Sequence, residues 1–460
     1  MWAYVTTPAQ IWMSRNRFIS LMAWVLGIVV LQAMNLLPMK LHSIPPFTAL
    51  TLLGLLSTSH EAFSQEASKP GNAFTQTILV ANRAEYKPTA FVDERVINPW
   101  GIALRPPGKG GHIWLSNAGN ASTTLYIGDA NGEPLRQDGL KIVPIDGPVY
   151  SYEDGLSNVT GQVYNAASDY AGQPVEFPVK GPTSNLTSGV PVPLGERSGS
   201  AKFVFVTTDG TINAWRAGTA ESMDTVVIVK DFSDKGKDHD PNSRVFPAFT
   251  GVAMTTDQFK KDANGNALAD NRLYVTDFQK RQIRAFNNRW EEITEQIPFE
   301  KPPGLPDTYS PYNIQYVGDK LCVTYAVLNT EADDPAEDLP GEGNGRVAFF
   351  DRNGHLLSVI ADQGKLNSPW GVCLAPEGFG KFGGDLLVAN FGDGTIAAYR
   401  KSGEFHDFLR DAEGKPISIE GIWGIVFGNG VSLGDSMSLY FTAGPNTEQD
   451  GIFGRLTVRK

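Results

Sequence analysis

The sequence predicts an all-β protein: a six-bladed β-propeller of four-stranded antiparallel blades, closed by an N-terminal strand added to the last blade. Three observations carry that reading. A motif of an aromatic or Thr, then Gly or Asn, then a short apolar strand recurs six times after residue 74. The composition is rich in Gly (48) and Pro (30) and modest in charge (19%), which suits many short strands joined by tight turns. The last copy of the motif is followed by too few strands for a full blade, while the start of the domain carries a spare one.

The inner strands begin at Pro99-Trp100-Gly101-Ile102, Thr160-Gly161, Thr250-Gly251-Val252, Pro311-Tyr312-Asn313-Ile314, Pro369-Trp370-Gly371-Val372 and Trp423-Gly424-Ile425. Their spacing is too long for a solenoid and suits a four-stranded blade with loops. Second strands follow at Ile113 to Asn117, Phe203 to Thr208, Leu273 to Asp277, Leu321 to Tyr325, Leu386 to Asn390 and Leu439 to Ala443. Third strands show the same two-residue alternation at Thr211 to Trp215, Gln282 to Phe286 and Thr395 to Tyr399. Outer strands are expected at Leu140 to Ile145, Thr225 to Val229 and Leu356 to Ile360. Thr75 to Ala81 is the spare strand, and adding it to the sixth blade removes an open pairing edge.

Residues 1–64 read as an export leader. Phe18 to Leu37 is an apolar run behind Arg15 and Arg17, long enough to cross a bilayer. A second pattern follows over 39–64: Met39-Lys40, an apolar stretch from Phe47 to Leu56, and Ala62-Phe63-Ser64 ahead of Gln65, a signal peptide with cleavage after Ser64. Translation from Met39 accounts for the tandem arrangement; retention of Phe18 to Leu37 as a membrane anchor is the competing reading. Both place the rest of the chain outside the cytoplasm, in the periplasm, at the cell surface or in the medium. Residues 65–73 read as a flexible lead-in and 74–460 as the propeller.

The net charge of -11 and a sequence pI near 5.1 argue against nucleic acid as a partner, because phosphate binding needs clustered Lys and Arg. Cys322 and Cys373 fit neither a metal pair nor a disulfide framework. They fall in neighbouring blades, as one bridge or as two buried thiols.

Pro99 to Leu104 with His112 to Asn117, Leu273 to Phe286, and Pro369 to Leu374 with Asp385 to Tyr399 resemble NHL repeats. Within that group the chain is most similar to exported bacterial propellers of uncharacterised role with the same Pro-Trp-Gly repeat. The resemblance implies a fold and transfers no activity. Related six-bladed lactonases often carry a metal-binding Asn or Asp just before the Gly of an inner strand. Here that column reads Trp100, Thr160, Thr250, Tyr312, Trp370 and Trp423.

No catalytic constellation is visible. His112, His239, His355 and His406 share no repeat position, as converging ligands or acid–base pairs would require. Asn117, Asp277 and Asn390 share the end of the second strand, where they either satisfy turn amides or offer oxygen ligands to Ca²⁺ as a cofactor. The stretch Asp262 to Asp270 lacks the closing Glu of a calcium loop. The acidic insertion from Glu331 to Gly345 reads as mobile and solvated, and Ser168 to Ser200 as an excursion rich in Pro and Gly. The sharpest candidates are Trp100, Tyr312, Trp370 and Trp423, either as an aromatic rim with open ring faces at the channel mouth or as wedges between blades. The leading functional expectation is a binding or scaffold propeller for a small molecule, glycan or protein at one face of the ring. The alternative is a Ca²⁺-dependent hydrolase or lyase.

Overall fold

A computed structural model of the chain describes residues 73–459, apart from 146–157, 170–173, 186–190, 219–220, 234–245, 256–269, 333, 361 and 363. The expected leader, with its apolar segment 18–37 and signal peptide 39–64, lies outside the described residues, as do His239 and most of Asp262 to Asp270. Everything described belongs to the compact unit Ala67–Lys460. Among the described residues no helix is long and apolar enough to cross a membrane.

The fold is a β-propeller, and the strand pairing shows why. Six sheets each start on one of the motif strands and run outward by antiparallel neighbours. Blade 1 comprises Pro99–Ala103, Ile113–Asn117, Ser122–Tyr126 and Ile142–Pro144. Blade 2 comprises Val159–Tyr164, Phe203–Thr207, Thr211–Trp215 and Val227–Asp231. Blade 3 has Phe249–Met254, Arg272–Asp277 and Gln282–Asn287. Blade 4 is Tyr309–Val317, Lys320–Val327, Gly345–Phe350 and Leu356–Val359, and blade 5 is Pro369–Leu374, Leu386–Asn390, Ile396–Tyr399 and Phe405–Phe408. Blade 6 takes Ile422–Phe427, Ser438–Ala443 and Ile452–Val458 from the C-terminal end and Phe74–Ala81 from the N-terminal end.

The six inner strands touch in a closed circuit, each against the next and that of blade 6 against that of blade 1. That crowding explains the recurring Gly. A Cβ on Gly101 would lie 2.6 Å from the Thr160 carbonyl oxygen, and one on Gly371 would lie 2.3 Å from that of Trp423. Blade 4 carries Asn313 in this column, and its Nδ2 donates to the Trp370 carbonyl at 2.8 Å, so the side chain joins two inner strands instead of clashing.

Period-2 alternation sends neighbouring side chains to opposite faces, and both faces are buried between blades. In Ser438–Ala443, Leu439, Phe441 and Ala443 enter one apolar cluster with blade 5, while Tyr440 enters another with blade 1. The closing strand pairs from Phe74 opposite Val458 to Ala81 opposite Ile452, with one register shift near Val80. A two-residue strand, Phe91–Val92, adds to it in parallel.

Two regions depart from expectation. Blade 3 has three strands among the described residues, where four were expected. Its outer edge is capped by a short return, with Ile293 N donating to Ala285 O at 2.8 Å and Asn287 N to Glu291 O at 2.9 Å. The chain then runs through Pro298, Pro302, Pro303 and Pro306, which have no N–H to extend a ladder. The excursion in blade 2 is also more regular than its composition suggested. Pro178–Asn185 and Val192–Ser200 form a hairpin, and Glu221–Met223 adds a third strand.

Candidate functional site

Trp100, Tyr312, Trp370 and Trp423 come from blades 1, 4, 5 and 6 and meet one another. Trp100 stacks on Trp423 with ring centroids 3.6 Å apart, and Trp370 stands edge-on to both at 6.0 and 5.9 Å. Tyr312 meets Trp100 and Trp423 edge-on at 6.4 and 6.1 Å. All four are buried, with 1 to 6% of their surface exposed. The rings pack into a plug that fills the tapered centre between the blades, with no rim of open ring faces. The inner strands approach closely at the axis, so the four rings pack against one another.

The remaining two positions of that column are threonines with a different task. Thr160 Oγ1 donates to Phe249 O at 2.8 Å and Thr250 Oγ1 to Tyr312 O at 2.6 Å, each binding the next inner strand. Trp370 reaches across the axis, its Nε1 donating to Thr250 O at 3.0 Å. Tyr312 OH donates to Asp338 Oδ1 at 2.9 Å, and Trp423 Nε1 donates to Asn98 Oδ1 at 3.0 Å. Trp100 Nε1 is buried and has no hydrogen-bond partner.

A pocket of about 130 Å³ opens against this plug. Trp100, Tyr312 and Trp423 line it, with Asn158, Thr160 and Thr208 from the blade 2 side and four carboxylates: Asp334, Glu337, Asp338 and Glu448. Among the described residues, no Lys, Arg or His lines it.

Asp334, Glu337 and Asp338 belong to the blade 4 insertion, which was expected to be mobile and solvated. Instead Asp338 is 3% exposed, and the Tyr312 hydroxyl holds it against the plug. Asn329 N donates to Glu337 O at 3.0 Å and Leu339 N to Val327 O at 2.8 Å, so the insertion folds back on its own strand. Asp338 Oδ2 has no hydrogen-bond partner of good geometry.

Glu448 comes from the turn between the second and third strands of blade 6. Asn446, Thr447 and Glu448 hold φ values of 59°, 54° and 64°, a left-handed run that non-Gly residues adopt only when the surroundings enforce it. Asn98, itself at φ 44°, links the parts: it accepts from Trp423 and donates from Nδ2 to Glu448 Oε2 at 2.6 Å. Burial pushes the Glu448 carboxyl up to about 7; Glu337, Asp338 and Asp334 add to the rise, against the pull of the Asn98 hydrogen bond. Burial also raises Asp338 and Glu337 above the usual carboxylate range.

Asn117, Asp277 and Asn390 stand on the second strands of blades 1, 3 and 5, each engaged within its own blade. Asn117 Nδ2 donates to Thr124 Oγ1 at 3.2 Å. Asp277 accepts from Arg284 Nε at 2.9 Å and from the backbone of Ala248 and Lys280 at 3.3 and 3.2 Å. Asn390 accepts from Asn367 N at 3.1 Å and donates to Lys365 O at 3.0 Å. They share no hydrogen bond. Among the described residues, no three or more His, Cys, Asp or Glu side chains are grouped to hold a metal ion.

The described histidines sit apart, each with a local Asp: His112 with Asp138, His355 with Asp351 and His406 with Asp385. Cys322 and Cys373 are free thiols, both pushed up by burial.

The pocket carboxylates and Asn98 escaped the sequence reading because they lie in loops outside the repeat period. One signal was available: Asn98, Ser310 and Ser368 all precede the Pro of an inner-strand motif, and all three are buried.

No family model matches the chain. It is 26% identical over 381 residues to "Uncharacterized protein R648" of Acanthamoeba polyphaga mimivirus, spanning 82% of this chain and 78% of that protein. It is 31% identical over 195 residues to "Uncharacterized protein L690" of the same virus, spanning 42% of this chain and 50% of that one. Among solved structures it is similar to virginiamycin B lyase from Staphylococcus aureus, at 12% identity over 84% of this chain and 99% of the other, with a TM-score of 0.40. An α-L-arabinanase from Penicillium chrysogenum gives 11% identity over 84% and 98%, with a TM-score of 0.42. The assignment of the fold rests on the strand pairing and the closed circuit of inner strands.

Proposed function

We propose that this chain is a ligand-binding propeller that takes a small molecule in the pocket at the end of the aromatic plug. One observation carries the reading: Asp338 and Glu448, from loops of two different blades, are held beside Trp100, Tyr312 and Trp423 by hydrogen bonds to the plug itself or, through Asn98, to Trp423. Loops that converge on a rigid scaffold are the usual place for recognition. Within this reading the NHL-like repeat supplies the scaffold, and residues 1–64 export it.

The test is a titration of the full chain with small fragments in three classes, neutral sugars, organic anions and organic cations, read by the indole N–H resonances of its tryptophans. At least one class is expected to shift Trp100 and Trp423, and Asn158→Trp, at an exposed lining position, should abolish the shift. Resonances untouched by every class would overturn the reading. For export, N-terminal sequencing from the native host is expected to begin at Gln65; an intact residue 1 in a cytoplasmic fraction would overturn that part alone.

A further inference from the structure

We infer that the groove beside the three-stranded edge of blade 3 is a second binding site, shaped for a small organic acid with a flat apolar body. The acid group sits at Arg281, and an oxygen on the body accepts from Tyr325. The groove is separate from the central pocket and does not depend on it.

The groove follows from the way blade 3 ends. Blades 1, 2, 4 and 5 each carry an outer fourth strand, whereas after Asn287 the chain turns back and crosses to blade 4 through a run of prolines. Between that crossing and the strands of the two blades lies a cavity of about 610 Å³, the size of a small-molecule site. Ile283, Phe299, Leu305 and Tyr309, from the apolar cluster between blades 3 and 4, line it together with four prolines. Proline has no side-chain freedom to lose and the packed rings have little, so these walls meet an apolar ligand at small entropic cost.

Two unengaged donors set the polarity of the ligand. Tyr325, on the second strand of blade 4, is 5% exposed and lines the groove, yet its hydroxyl bonds no described residue. Unlike the hydroxyl of Tyr399, which is sealed in the core without a partner, that of Tyr325 keeps accessible surface. Burial raises its pKa, so it stays protonated and has a proton to donate.

Arg281 is exposed at the groove, in the turn between the second and third strands of blade 3, where its φ is 53° and its N–H donates to Phe278 O at 3.3 Å. Its guanidinium makes no ion pair or side-chain hydrogen bond with a described residue. The other polar groups of the wall are occupied. Lys301 pairs with Asp307, and Glu300 accepts from Leu356 N at 2.9 Å. Thr294 Oγ1 donates to Glu292 and accepts from Ala285 N. Asp307 also feels Arg281, but the Lys301 hydrogen bond is what chiefly holds its carboxyl low.

The planar fork of a guanidinium matches a carboxylate and holds it by two hydrogen bonds. An organic cation would meet repulsion there, and a neutral sugar would turn hydroxyls against prolines and rings that cannot bond them. Among the described residues no group of His, Cys, Asp or Glu is placed to hold a metal ion. An extended peptide would need the free edge of Gln282–Asn287, which the return through Ile293 already caps at Ala285.

The test is calorimetric titration of the full chain at about pH 7 with 4-hydroxyphenylacetate, its amide, phenylacetate and tyramine. 4-Hydroxyphenylacetate is expected to bind about tenfold more tightly than its amide, which lacks the charge for Arg281. It should bind about threefold to tenfold more tightly than phenylacetate, which lacks the oxygen for Tyr325. Arg281→Gln should erase the first difference and keep the second, and Tyr325→Phe should do the reverse. The Tyr325 hydroxyl makes no bond within the fold and Arg281 is exposed, so both variants should melt like the parent. Four results would each overturn the assignment: equal affinity for acid and amide, tighter binding of tyramine, no heat from any probe at millimolar concentration, or a difference that survives its own variant. The Trp100 and Trp423 indole resonances should not move in any of these titrations. Shifts there that persist in both variants would put the ligand in the central pocket, which overturns the groove and leaves the earlier reading standing.

Discussion

Four of the six inner strands send an aromatic ring to the axis and two send a threonine, and the two groups hold the ring together differently. On the side of blades 1, 4, 5 and 6 the rings pack against one another, so stability comes from burying apolar surface and from ring geometry. On the side of blades 2 and 3, Thr160 and Thr250 bond the neighbouring inner strand directly. The small threonines also leave Trp370 room to cross and reach the Thr250 carbonyl. A repeat fold therefore need not solve its centre the same way in every copy: two polar copies make space for four large ones.

That contrast sets the scale of substitutions. Trp423→Ala removes the ring on which Trp100 and Phe391 stack, and should cost about 3–5 kcal/mol in denaturant unfolding. A loss below about 1 kcal/mol would mean that the plug carries little of the stability.

The carboxylates held against the plug give the next effect, which depends on pH. Glu448 keeps its proton to about 7 in the folded protein and releases it near 4.5 when unfolded. The folded state thus holds more protons between those values, and stability falls as pH rises from about 4.5 to 7, then levels off. For Glu448 the fall is on the order of 3 kcal/mol, and Glu448→Gln should remove it from the pH profile. A variant whose profile matches the parent would show that this carboxyl titrates normally.

Smaller effects sharpen the distinction between the two sides. Trp370→Phe keeps most of the ring and loses the bond to Thr250, and should cost about 1–2 kcal/mol. Thr250→Val keeps the shape and loses one bond to Tyr312 O, for about 1 kcal/mol. Combined, these two changes should be non-additive, because both act at Thr250; simple additivity would uncouple the threonine side from the plug.

The ring was legible in the sequence because its geometry leaves few choices. Gly101, Gly161, Gly251, Gly371 and Gly424 stand where inner strands approach too closely for a side chain, and that constraint recurs with the repeat. The closing strand could be found by counting, and it starts one residue earlier than expected, at Phe74. The gathering of the aromatic column was legible; the orientation of its rings was not, since that depends on partners from distant blades. The acidic pocket was hidden for a different reason. Glu448 and Asp338 lie far apart in sequence in non-repeating turns, and only the closed ring brings their loops to one place. Composition alone made the blade 4 insertion look solvated, although the hydroxyl that buries Asp338 belongs to Tyr312, which had been singled out for its ring.

The way blade 6 is assembled bears on how the chain is made. Phe74–Ala81 leaves the ribosome before every other blade strand, while its antiparallel partner Ile452–Val458 leaves last. The first strand must therefore wait, alternating and unpaired, through synthesis of all the intervening blades. During that interval it can pair with the outer edge of a newly formed blade instead. Pairing with Ile452–Val458, once that segment is available, then converts a chain of tethered blades into a ring, so closure must follow synthesis of every intervening blade.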